Sequence, residues 1–145
     1  MSTHTLRRPS EDKSERIERI FRTRNEEEFC QQICKQIVEM VMRGEKVYLT
    51  PHASEILRPT LEKYGITLVP APIEYPCILI NVDTPEEGRI TIKYLHRREE
   101  EIERKVKIEE FLRILEETLK RKRPPKQEIY LIITQPETRH DTLAT

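Results

Sequence analysis

Three cysteines and four histidines are the side chains with the most chemistry to offer in this 145-residue chain. Cys30 and Cys34 lie four apart, so a helix would set them on one face, close enough to share a metal ion. His52, Cys77 and His96 could complete the nitrogen and sulfur set that zinc prefers. The spacing is not the CxxC of structural zinc sites. Both Cys30 and Cys34 also fall in an apolar stripe, where cysteine serves as a small hydrophobe. No metal and no cofactor are therefore expected. His52 follows Thr50-Pro51, where a strand should hand over to a helix. Ligands tend to bind at that edge of an α/β sheet, and a histidine there could act as a general acid or base. No nucleophile or glycine-rich loop accompanies it, and a histidine in a first helical turn is ordinarily solvated. His52 is the catalytic candidate, but a non-enzymatic chain is the favoured reading.

Two charged runs offer binding rather than catalysis. Lys120, Arg121, Lys122, Arg123 and Lys126, interrupted by Pro124-Pro125, form the one dense basic run. It could touch phosphates or serve as a nuclear import signal, although cations are also favoured at a helix C-terminus. No aromatic stacking platform surrounds it. Arg97 to Lys107 (RREEEIERKVK) alternates blocks of charge around Ile102 and Val106. Read as part of a helix over 97–123, these two residues lie roughly 100° or more from the stripe Ile108, Phe111, Leu112, Leu115 and Leu119. They then need another cover. A second protein chain is one candidate, with Arg97, Arg98, Glu99, Arg104 and Lys105 as its polar rim. The arm residues Ile17, Ile20 and Phe21 are the intramolecular alternative.

The elements that must position these groups follow from periodicity. Residues 1–25 read as a charged arm, helical in part and frayed at its start. Asn25 followed by Glu26, Glu27 and Glu28 is a helix start, with a capping side chain and acids on the positive end of the dipole. Phe29, Ile33, Ile37 and Val41, together with Cys30, Cys34, Val38 and Met42, cover more than half the circumference. That helix is therefore sandwiched, and the outward half of its stripe, Phe29 and Ile33, is assigned to the partner surface. Strands are expected at KVYLT, ITLV, CILINV, RITIKYL and EIYLIIT, the last in a covered position. Pro59 should kink or split the helix after KVYLT, and Pro70, Pro72 and Pro76 mark an extended connection. The order α-β-α-β-β-β-α-β over 26–134, after the helical arm and before a polar tail at 135–145, is a single small mixed α+β domain.

Composition narrows the function classes. Lys+Arg and Asp+Glu both number 26, so the net charge of +0 gives no global pull toward nucleic acid or anionic membranes. Only 3 glycines are present, and neither GxGxxG nor GxxxxGK[ST] occurs, which argues against a phosphate-cradling loop. No apolar run approaches the ~18 residues of a membrane span, and the first residues have no secretory apolar core. An odd, sparse set of cysteines fits a cytoplasmic, reducing setting. Abundant Glu, Lys, Arg and Ile is a thermophile-like balance.

The stretch EEEFCQQICKQIVEMV, KVYLTPHASEIL, EKYGITLV and EEGRITIKYLHRREEEIE resembles the C-terminal head of the E subunit of archaeal and vacuolar rotary ATPase peripheral stalks. The same head occurs in flagellar and type III export stator proteins. The resemblance covers Glu26 to about Leu115 and implies a stalk-like, protein-binding role without catalysis. A partial likeness to viral ring nucleases that degrade cyclic oligoadenylate rests on His52 and one of Glu99–Glu101. An archaeal or viral origin is compatible with these likenesses. The first expectation is thus a non-enzymatic interaction module, acting as adaptor, stator-like subunit or inhibitor through a protein partner or self-association. The alternatives are a nucleic-acid-associated regulator using the arm and the Lys120–Lys126 run, and a small ring nuclease centred on His52.

Overall fold

A computed structural model describes residues 13–82, 85–97, 100–123 and 127–132. Its elements follow in the order α1 (residues 13–21), α2 (Glu26–Met42), β1 (Val47–Leu49), α3 (Pro51–Lys63), β2 (Ile66–Ala71), β3 (Cys77–Asn81), β4 (Arg89–Arg97), β5 (Glu100–Lys107), α4 (Ile108–Lys122) and β6 (Gln127–Ile132). The α+β class is as the sequence implies. The α2 start is also as expected: Asn25 Oδ1 accepts a 2.8 Å hydrogen bond from the Glu28 N–H. Thr50 caps α3 with Pro51 in its first turn. Pro59 does not split α3, which runs on to Lys63. It stands on the exposed side of the helix, where its ring does not compete with core packing.

The six strands form one mixed sheet in the order β2-β6-β1-β3-β4-β5. The first four are mutually parallel, and β4 and β5 are antiparallel additions. β6 sits between β2 and β1, which accounts for its nearly continuous apolar run. Two crossovers, β1–α3–β2 and β5–α4–β6, lay their helices on the same side of the sheet as α1 and α2. The core lies between these layers. It joins Phe29, Ile33 and Val38 of α2 and Phe111 and Leu115 of α4 to Ile78, Ile80, Ile90 and Ile92 of the sheet.

One further expectation is corrected. Residues 100–107 are not the first half of a helix but an edge strand, so the domain has one strand more than expected. Ile102, Arg104 and Val106 are two apart and share the helix-facing side, opposite Tyr94, Ile92 and Ile90. Glu101, Glu103 and Lys105 point the other way. From residue 13 onward the arm packs on the domain: Ile17 and Ile20 are buried in the main core.

Candidate functional site

The residues assigned to a partner surface are mostly interior. Phe29, Ile33 and Val106 are fully buried within the chain, so they face no partner. The intramolecular cover wins: α1 closes over β5, and Phe21 meets the Phe29 ring edge-on at 5.4 Å. Arg104 is turned inward as well. Its guanidinium lies 4.5 Å from the centroid of the Phe29 ring. It donates hydrogen bonds to the carbonyls of Phe21, Thr23 and Arg24, which end α1 and lead into α2. Of the assigned set, Ile102, Arg97 and Lys105 keep exposed side chains, and Arg98 lies outside the described residues.

His52 and Glu101 are not brought together. Glu101 stands opposite Leu95, which pairs with Cys77 at the start of β3. His52 comes just after Leu49, which pairs with Ile80 near the end of β3. His52 and Glu101 therefore sit at opposite ends of the strands, and three strand positions separate β1 from β5. Glu99 is outside the described residues. His52 itself is exposed.

The thiols do not converge either. Cys30 and Cys34 are buried on α2 among the helices, while Cys77 is buried on the opposite face of the sheet. Burial pushes the Cys30 and Cys77 thiols up to about 12, and Cys34 is raised by the same cause. Such thiols are poor ligands and poor nucleophiles. Among the described residues, no group of three His, Cys, Asp or Glu side chains is placed to hold a metal ion. His96 lines a hollow of about 290 Å3 with Glu18, Tyr94 and Ile102.

The basic run ends α4. Lys120, Arg121 and Lys122 occupy its last turn, and Arg123 closes it with φ 46°, in the left-handed region. Lys122 lies 3.6 Å from Glu39 of α2. Lys126 is outside the described residues.

The feature that periodicity alone did not reveal is the other face of the sheet. All four helices cover one side, and among the described residues no helix covers the second. That second side carries Val69, Tyr130, Tyr48, Leu79 and Leu95, flanked by Lys93, Glu101, Glu103 and Lys105. The loop after β2 roofs part of it. The Tyr48 hydroxyl donates to the Pro72 carbonyl at 2.8 Å and accepts from the Glu74 N–H at 3.0 Å. Lys46 stands 4.6 Å above the Tyr130 ring, and the Tyr48 and Tyr130 rings lie 5.7 Å apart. Lys93 sits 3.8 Å from both Glu101 and Glu103. Val69, Leu79, Tyr130 and Ile132 remain half-buried, open along one side. The alternation CILIN in β3 was the signal for this face: Ile78 and Ile80 point to the helices, which leaves Leu79 pointing away. No helix of the described residues is long and apolar enough to cross a membrane. No family model, curated protein or solved structure matches this chain.

Proposed function

We propose that the chain is a non-enzymatic protein–protein interaction module that binds through the helix-free face of its sheet, and that the partner is a second copy of itself. The observation that carries this reading is the one-sided cover of the parallel block β2-β6-β1-β3. Parallel strands are ordinarily covered on both faces, because their apolar residues alternate to both sides. Here Val69, Leu79, Tyr130 and Ile132 gain cover only if something else supplies it.

Charge favours a copy over a strongly charged partner. The face mixes Lys46, Lys93 and Lys105 with Glu101, Glu103 and Glu128, so neither sign dominates. A two-fold axis then brings unlike charges together, whereas a single-signed face would repel itself. Six strands at ordinary spacing present on the order of 600 Å2, near the ~800 Å2 per partner of a standard interface. Pairing through a sheet edge is disfavoured, because β5 is densely charged and β2 carries Pro70. The resemblance to stalk heads, which act by binding other subunits, agrees with a role as adaptor or stator-like subunit.

Cross-linking tests the reading. An equimolar mixture of 14N- and 15N-labelled chains is treated with an amine-reactive cross-linker and digested. Mixed-isotope links among Lys46, Lys93 and Lys105 are expected. Mixed links confined to the helical layer, at Lys35, Lys63 and Lys120, would overturn the assignment, as would the absence of mixed links.

A further inference from the structure

On the opposite layer, and independently of the sheet face, we infer that the cleft between α1 and α2 binds a small polyphosphate anion. The cleft has a volume of about 440 Å3, within the ~300–1,000 Å3 of small-molecule sites. Arg16 and Arg19 of α1 form one wall, one helical turn apart, and Lys35 and Arg43 of α2 form the other. The one carboxylate of the lining, Glu39, lies 3.7 Å from Arg43 and 3.6 Å from Lys122, so it is already neutralised. Arg16, Arg19 and Lys35 have no ion-pair partner among the described residues. Three cations thus face one space, each without an ion-pair partner among the described residues.

The second observation is Gln36. It lines the same cleft, is 4% exposed, and its Nε2 has no acceptor among the described residues. A buried amide donor left in this state is costly, and proteins keep few of them unless something outside the chain supplies the acceptor. A phosphate oxygen is the acceptor that suits both an amide N–H and the guanidinium groups beside it, since guanidinium matches phosphate in a two-pronged geometry. No aromatic side chain lines the cleft, so there is no platform on which a base could stack. Recognition is therefore of phosphate charge. The space exceeds that of a single phosphate, and several linked phosphates match the spread of cations over two helices. A long polynucleotide is less well suited, because the chain as a whole has a net charge of +0 and offers no extended field.

Calorimetric titration of the full chain with inorganic tripolyphosphate tests this. One anion is expected to bind per chain, more weakly as salt rises. Arg19→Ala and Lys35→Ala alter solvent-exposed side chains and should each weaken binding about tenfold. Gln36→Met keeps the bulk of the side chain, removes the amide, and should weaken binding without lowering the thermal midpoint. Lys120→Ala with Arg123→Ala should leave the affinity unchanged. Absence of binding at millimolar tripolyphosphate would overturn the proposal. So would loss of binding that follows the Lys120 and Arg123 changes instead, or a single-stranded oligonucleotide that binds where tripolyphosphate does not.

Discussion

Val106 and Ile102, four residues apart on one strand, differ in everything that decides a mutation's cost. Val106 is fully buried beneath the helices, and Ile102 is 37% exposed at the sheet edge. Val106→Asp would bury an unpaired charge, a change worth about 3–5 kcal/mol, which is a large part of an ordinary domain's stability. That variant should lose its cooperative melt in circular dichroism, whereas Ile102→Asp should melt within a few degrees of wild type. The thiols make a second test at this scale. Cys30 and Cys77 hold their protons up to about 12, Cys34 is raised too, and Tyr48 is pushed to about 12, each mainly by burial. Unfolding returns the thiols to values near 9 and the phenol to near 10. The unfolded chain then binds fewer protons, so stability falls as pH rises. The contribution is complete below about pH 9 and is lost progressively toward pH 12. Denaturant melts at pH 8, 9.5 and 10.5 should show falling midpoints, with a shallower fall when all three cysteines are alanine. At pH 8 the folded chain should be inert to a thiol reagent that titrates 3 cysteines after unfolding.

At the scale of elements, Arg104 ties β5 to the end of α1, beside the apolar core that Ile17, Ile20 and Val106 share. Arg104 spans from the edge strand to three carbonyls that follow or close α1, and it covers the Phe29 ring. Charge-assisted hydrogen bonds of this kind contribute about 1.5–3 kcal/mol. Arg104→Ala should lower stability by that order, and hydrogen exchange should rise first in α1, whose Ile17 and Ile20 would lose their closure. Arg104→Lys should recover only part, because a compact ammonium cannot both reach the three carbonyls and lay a flat face on the Phe29 ring. This clamp explains where sequence reasoning succeeded and where it stopped. Asn25 and Thr50 announced two helix starts through local capping chemistry, and CILIN and RITIKYL announced a hairpin through alternation. β5 was hidden because EEIERKVK has good helix formers at nearly every position. Ile102 and Val106 satisfy the i, i+4 spacing of a helix and the even positions of a strand equally well. Their misfit to the α4 stripe was the trace of the strand. The cover for Phe29 came from Phe21 of α1 and Arg104 of β5, far apart in sequence, and no local pattern encodes that meeting.

At the scale of the molecule, two layers leave two surfaces of opposite character. The helical layer carries a basic cleft, and the bare sheet face carries an apolar centre within mixed charge. The pairing of His52 with Glu101 that the ring-nuclease likeness implied is not brought together, since β3 and β4 set Glu101 at the far end of the strands. What remains is a chain with one sheet face that no helix of the described residues covers. Sedimentation equilibrium over about 1–100 µM, on the wild type and on Leu79→Glu, tests self-association through that face most directly. Leu79 is only partly buried and points away from the helices, so its change should leave the fold intact, as an unaltered thermal midpoint would verify. A wild-type chain that reaches twice its 17.4 kDa mass within this range, with Leu79→Glu staying at the single-chain mass, is the expected result. A wild-type chain that stays at the single-chain mass throughout, or a Leu79→Glu chain that doubles as readily, would contradict self-association through the open face.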